Sequence, residues 1–360
     1  ICLMTVANAE PKTSSVLSLC TNPWPTALAP MQDVTGLPFM RVIAECGSPD
    51  FYFTEFFRVY ANSRLDPEIL SSITRNPSDK PIFAQLIGES IPNLDRIARE
   101  LQQFSIAGID LNMGCPAPRV YKKNVGGGLL KDPHKIELIL KSLRREVKSL
   151  LTVKMRIGFE DDKNFVDILS ILNECEVDLL SLHTRTVLGG YRTEPDHEYV
   201  TRAVEQLHCP VLLNGNVTSA KVAHSLKYHT GAAGVMIGRS AIRNPWIFRQ
   251  IREMQQGIPV FEPRMNDLYN YVQNLFVALG KPEMDDRRIV GRIKKFLNFV
   301  GLSVCPEGKF LHQMRRSSTP AELFRICERF MISEGLAFNK INLEPFDSLL
   351  ARPNQESVES

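Results

Sequence analysis

From residue 26 onward, short apolar runs alternate with longer segments that are apolar on one side only. The runs are TALAPM (26–31), FYFTEF (51–56), PIFAQLI (81–87), GIDLNM (108–113), LTVKMRI (151–157), DLLSLHT (178–184), PVLLNGN (210–216) and AGVMIGR (233–239). They are nearly continuous in apolar character, which is the pattern of strands covered on both faces of a parallel sheet. Between most of them, residues 92–105, 133–148, 163–174 and 218–228 carry apolar positions at helical spacing. Eight such strand–helix units in about 230 residues predict an α/β fold of the TIM (β/α)8 barrel type. An open, doubly wound sheet of six strands would leave two runs unplaced.

After Asn244-Pro245 and the loop around GIPVFEPR (257–264), the pattern becomes purely helical. Segments near 265–280, 285–300, 307–316 and 319–333 predict a small C-terminal helical bundle. The expected organisation is a poorly ordered leader over residues 1–23, a barrel over 24–255, a helical domain over 256–345 and a polar tail over 346–360. The leader lacks a basic n-region and a long apolar stretch, so it does not read as a signal peptide.

Composition adds limits. The chain has 360 residues, 44% hydrophobic and 23% charged, ample for the core of one large domain or two. No apolar run reaches the roughly 18 residues of a membrane span, and none is expected. The eight cysteines, at 2, 20, 46, 115, 175, 209, 305 and 327, form no CxxC pair and no Cys/His cluster. Metal binding is therefore not expected, and scattered thiols fit a reducing, cytoplasmic setting. Net charge is +3, yet residues 287–329 hold ten Lys or Arg against three Glu. A solvated helical face explains such a cluster, and so does contact with a polyanion.

In a TIM barrel the chemistry sits where the strands end. Here the ends read Met31-Gln32, Glu55, Gln85, Asn112, Lys154 with Arg156, His183 with Arg185, Asn214 with Asn216, and Gly238-Arg239. A polar residue at one strand end is unremarkable, because loops are wet; eight in register point to a ligand. The NGN and IGR stretches are each followed by small residues, which places backbone N–H groups after strands seven and eight. That is the usual phosphate site of this fold, and Arg239 adds a charge-assisted contact. Gly126 to Gly128 follow a basic loop instead of closing a strand, so they make no dinucleotide fingerprint. Lys154 suits either a Schiff base or the stabilisation of an anionic ring. With His183 and two asparagines nearby, a flavin fits better, since its reduced ring carries negative charge that a cation favours.

At these residues the chain resembles the dihydrouridine synthases, flavoenzymes that reduce uridine in tRNA. The matching stretches are APMQDVTG (29–36), TEFFRVY (54–60), AQLIG (84–88), DLNMGCPAP (110–118), GGGLLKDP (126–133), VKMRIGF (153–159), LHTRT (182–186), GGYR (189–192), NGNV (214–217) and MIGRSAIRNPWIF (236–248). They stand in family order over roughly residues 24–330. The resemblance implies FMN contacts at Pro30, Met31, Gln32 and Gln85, with Lys154 and His183 at the ring. It implies that Asn214, Gly215, Asn216, Gly238 and Arg239 hold the ribityl-phosphate, and that Asn112, Arg185 and Tyr191 meet the substrate. It further implies NADPH or NADH as reductant, tRNA as partner, and a monomer. TEFFRVY looks most like the bacterial C-type branch. Four positions depart from the family pattern: Pro118 and Tyr121 in the loop after the cysteine, Gly189 before Gly-Tyr, and Asn216 after Asn-Gly.

Cys115 is the residue that this chemistry most needs. Reducing the C5=C6 bond of uracil places a hydride on C6 and leaves an enolate that takes a proton at C5, so an acid must reach that carbon. A thiol with an ordinary pKa of about 8.5 is mostly protonated at neutral pH and donates instead of attacking. No local Cys-His pairing marks it as a nucleophile. Pro116 is expected to stiffen the loop, and Gly126 to Gly128 to form a flexible lid. Two rival functions share some of these features: another FMN barrel acting on a small pyrimidine, such as a dihydroorotate dehydrogenase, and an RNA-binding protein without catalysis.

Overall fold

The computed structural model describes residues 16–343. Nine short strands follow one another: β1 (Thr26–Leu28), β2 (Phe51–Phe53), β3 (Phe57–Arg58), β4 (Ile82–Ile87), β5 (Gly108–Met113), β6 (Leu150–Arg156), β7 (Leu179–His183), β8 (Val211–Asn214) and β9 (Gly234–Ile237). Every pairing is parallel, and β1 pairs with both β9 and β2, so the sheet closes on itself. The run at 51–56, expected as one strand, is broken. Phe53 stands opposite Phe83 and Phe57 opposite Leu86, so β2 and β3 spend one residue more than β4 over the same span. This is a bulge, and the Thr54 hydroxyl repairs the ladder by accepting the Gln85 N–H at 3.1 Å. β2 and β3 share one place, and the barrel has eight staves.

The period of two along each strand divides the apolar residues between two cores. Leu28, Ala84, Ile109, Leu111, Val153, Met155, Leu180, Leu182, Leu213 and Val235 face outward and pack under the helices. Ala27, Phe51, Phe53, Phe83, Leu179, Leu212 and Met236 face inward and fill the lower barrel. Phe53 stacks on Phe83 at 4.8 Å and Phe51 meets it edge-on at 5.9 Å. Each of these fully buried rings contributes roughly 1.5–3 kcal/mol. Above that apolar floor the inward positions turn polar, and the site stands on them.

Val16, 2% exposed, joins the inner floor, and the Asn22 amide donates to Asp50 at 3.1 Å. Residues 16–23, expected within a loose leader, are thus packed and hydrogen-bonded against the barrel. Residues 1–15 and the tail after 343 lie outside the described residues.

Past the last barrel helix, Ile247–Gln255, the helices Met265–Leu279, Asp286–Val304, Lys309–Arg316 and Pro320–Met331 form the C-terminal bundle. It docks on the barrel through Phe39 against Phe296, with centroids 5.4 Å apart, and through the Tyr271 hydroxyl, which donates to the Ile242 carbonyl at 3.2 Å. Among the described residues no helix is long and apolar enough to cross a membrane, and no cluster of His, Cys, Asp or Glu could hold a metal ion.

Candidate functional site

Four inward positions on neighbouring strands form one hydrogen-bonded chain. Thr152 donates to Asp110 Oδ1 at 2.7 Å, and Gln85 donates to Asp110 Oδ2 at 2.6 Å. Asn112 then donates to Gln85 Oε1 at 2.8 Å. The free side of the Asn112 amide, Oδ1, accepts the backbone N–H of Gly114 at 3.1 Å and of Cys115 at 3.0 Å. Burial pushes the Asp110 carboxyl up to about 6, a cost partly offset by its two donors and by Lys154. The chain is thus a buried strut that ends on the cysteine loop.

Facing the strut is a set of cations. Lys154 Nζ donates to Asn214 Oδ1 at 3.0 Å, and Asn214 in turn donates to the Met236 carbonyl at 2.7 Å. Burial, then Arg156, pulls Lys154 down to about 8. His183 is held well below its ordinary range by burial and by Arg156, Lys154, Arg185 and Arg239, so its imidazole is neutral. Arg156, 2% exposed, clamps two loops: Nε donates to the Gly114 carbonyl at 3.0 Å, while one terminal nitrogen donates to the Thr186 and Gly190 carbonyls, both at 2.9 Å. The Tyr191 ring lies beside both guanidiniums, 4.2 Å from that of Arg239 and 5.3 Å from that of Arg156.

These groups border a cavity, open to solvent, at the carboxyl end of the strands. Of the residues singled out from sequence, Pro30, Met31, Asn112, Cys115, Lys154, His183, Tyr191, Asn214, Gly215, Asn216, Gly238 and Arg239 all border it. Gln85 does not: it is fully buried one layer below, in the strut. Gln32 points into the neighbouring cleft shared with Glu55 and Lys295. Arg185 is not among the bordering residues; it is 1% exposed and donates through Nε to the Thr193 carbonyl. Both of its terminal nitrogens are buried without a hydrogen-bond partner. Arg156 was visible at a strand end, but its clamping role depends on carbonyls from two other loops.

The lid expected at Gly126 to Gly128 is a packed wedge. All three glycines are buried in the short helical turn Gly126–Lys131, and the Gly127 N–H donates to the Cys115 carbonyl at 3.3 Å. A Cβ on Gly127 would stand 2.6 Å from Val187 and 2.9 Å from the Cys115 carbonyl, and one on Gly128 would stand 2.6 Å from the Tyr121 carbonyl. These glycines permit close approach behind the cysteine. Burial, the largest influence on Cys115, pushes its thiol up, against a smaller pull from the Ala117 backbone and from Arg156, Arg119 and Arg58. The thiol is protonated at neutral pH.

No carboxylate borders the cavity, whereas Lys154, Arg156 and Arg239 do. His183 Nδ1 is buried there with no hydrogen-bond partner. A Cβ on Gly238 would come within 3.3 Å of Met31 Sδ, narrowing the same space. An anionic, hydrogen-bonding, ring-sized ligand fits these residues, and a flavin is one. The closed barrel with this cationic mouth is a TIM barrel with an anion-binding site at the ends of its strands. The chain belongs to the dihydrouridine synthase family, whose model (Dihydrouridine synthase, Dus) matches residues 27–291. It is similar to the tRNA-dihydrouridine(16) synthase of Neisseria meningitidis serogroup A, 29% identical over 84% of this chain and 93% of that one. A probable tRNA-dihydrouridine synthase of Helicobacter pylori J99 is 33% identical over 92% of this chain and 97% of that one. Among solved structures, the old yellow enzyme homologue from Zymomonas mobilis covers 66% of this chain at 13% identity and a TM-score of 0.47.

Proposed function

We propose that the protein reduces the C5=C6 bond of uridine in tRNA to 5,6-dihydrouridine, with FMN as its flavin and NADPH or NADH as the reductant. The relatives named above as tRNA-dihydrouridine synthases support the substrate, and one observation carries the chemistry. Cys115, its thiol protonated, borders the same cavity as a set of cations with no carboxylate among them.

Lys154, His183, Asn214, Gly215, Asn216, Gly238 and Arg239, with Pro30 and Met31, are the residues that would hold the flavin. Bound there, it would supply the hydride that C6 of the base needs. Lys154 offsets negative charge that gathers on the ring, and neutral His183 offers a hydrogen bond from the same wall. Cys115 gives its proton to C5, which closes the reduction: hydride and proton add across one double bond, and the reductant leaves oxidised. Gln85 contributes from below by fixing Asn112, and Arg156 contributes by fixing both the Cys115 and the Tyr191 loops. A uridine stacked in RNA cannot reach this cavity, so it must be turned out of its stack. The half-exposed Tyr191 ring at the mouth is suited to receive it.

A small pyrimidine substrate leaves the helical bundle unexplained. Seven of its ten clustered cations, at 287, 288, 295, 309, 316, 325 and 329, are exposed, as contact with a phosphate backbone requires. Lys294 and Arg315 are turned inward instead, onto the Ser317 carbonyl and Asn298. The relative named for position 16 and the Pasteurella multocida synthase B are both 29% identical to this chain, over 84% and 68% of it, so the modified position is not inherited from either name.

The deciding experiment supplies the purified protein with NADPH and tRNA lacking dihydrouridine, and in parallel with free uridine or orotate. Dihydrouridine is expected in tRNA alone. Cys115→Ala should keep its flavin and lose at least about a hundredfold in rate, the usual share of a positioned acid. Turnover of the free pyrimidines, or full activity of the variant, would overturn the reading.

A further inference from the structure

The loop after β8 turns through two residues on the left-handed side, Gly215 at φ +132° and Asn216 at φ +46°. Glycine takes such a φ freely and Asn tolerates it better than most residues, so the sequence permits the turn and its neighbours settle how it is aimed. One of the groups that fix it is His197, whose Nε2 lies 3.1 Å from the Gly215 carbonyl. His197 comes from the preceding βα loop, which is itself tied down by the Asp196 N–H donating to the Thr184 carbonyl at 3.0 Å. A carbonyl can only accept, so Nε2 carries the proton. Nothing in the sequence comparison or the catalytic reading uses this histidine.

The geometry of one peptide gives it a role. Gly215, Asn216 and Val217 all border the cavity, and His197 does not. The Gly215–Asn216 peptide is trans, so its C=O and its N–H point in opposite directions. With the carbonyl drawn outward onto His197, the Asn216 N–H is directed to the cavity side. A backbone N–H held this way next to Arg239 is a donor for a phosphate oxygen.

We propose that His197 is a positioning residue for the phosphate end of the flavin, acting through the Gly215–Asn216 peptide. The proposal rests on the flavin reading above and adds to it a residue outside the cavity. A histidine that merely tied two loops together would affect any ligand of the barrel mouth equally. One that aims a phosphate donor should affect FMN and spare riboflavin, which lacks the phosphate.

The test is a fluorescence titration of the flavin-free full chain with FMN and with riboflavin. In His197→Phe, FMN affinity should fall about tenfold, the usual worth of one well-placed hydrogen bond, while riboflavin affinity stays within about twofold. His197→Gln, whose amide nitrogen reaches a similar distance, should recover most of the FMN affinity. If His197→Phe does not fold, His197→Met carries the same comparison. Unchanged FMN binding, or equal loss for both ligands, overturns the proposal. A wild-type protein that binds neither ligand overturns the flavin reading itself, and this inference with it.

Discussion

Asn112 Oδ1 accepts the backbone N–H of Cys115 at 3.0 Å, and through that bond the barrel interior holds the cysteine in place. The same amide donates to Gln85, which donates to Asp110, so the cysteine at the rim is braced by a buried strut three strands wide. Sequence alone suggested Asn112 as a substrate contact. Both ends of its amide are already engaged inside the protein, and its main work is on the loop.

Asn112→Ala should therefore behave as a loop mutant. Two backbone N–H groups and Gln85 Oε1 lose their partner, which costs about 1–3 kcal/mol where the groups stay dry. Misplacing the thiol by about an ångström should lower turnover by roughly a hundredfold. Flavin content should hardly change, since Lys154 and the Asn214 to Asn216 loop are untouched. Urea unfolding and single-turnover kinetics measure the two effects; a loss of flavin with normal chemistry would show that the strut serves the cofactor instead.

Lys154 predicts a pH dependence. Without ligand it titrates at about 8, below its ordinary 10.5, because burial and Arg156 disfavour the charge. An unfolded chain binds more protons than the folded one between those values, so this group's contribution to stability rises with pH across that window. Flavin binding should run the other way: a bound anion raises the lysine pKa, so affinity is highest below about 8 and declines above it. Lys154→Met should weaken binding and flatten that decline. A wild-type affinity constant from pH 7 to 9.5 would refute the role.

The exposed cations of the helical bundle predict salt sensitivity. His312, Arg316, Arg325 and Arg329 line a groove between the helices Lys309–Arg316 and Pro320–Met331. If tRNA phosphates lie along such a surface, binding should weaken steeply as salt rises. Each of Arg316→Gln, Arg325→Gln and Arg329→Gln that removes a phosphate contact should lower the salt slope by about one. Filter-binding across 50–300 mM salt tests this, and slopes identical to wild type would place the RNA elsewhere.

How much was legible in the sequence follows from which signals are local. The eight stave positions could be read because burial on both faces forces continuous apolar runs, and the site could be read because strand ends in this fold face one mouth. The resemblance then named the cofactor and substrate. What stayed hidden depended on contacts between segments far apart. The bulge at Thr54 shows in the mismatch of β2 and β3 against β4. The clamp at Arg156 is made of carbonyls from residues 114, 186 and 190, and Arg185 meets the Thr193 carbonyl eight residues on. The three glycines read as a lid because glycine is flexible in isolation; only the neighbours at 2.6–2.9 Å show that they are there for close packing.

By itself, then, the sequence determined the barrel, the helical appendage and the cationic rim, and placed Cys115 at a strand exit, because period, composition and strand-end chemistry are properties of short stretches. Tertiary structure alone decided which polar groups face the cavity and which are consumed as struts. Gln85 and His183 are equally polar as letters, but Gln85 is paired below the cavity while His183 Nδ1 borders it without a partner, and where each group ends is settled only when the strands and loops come together.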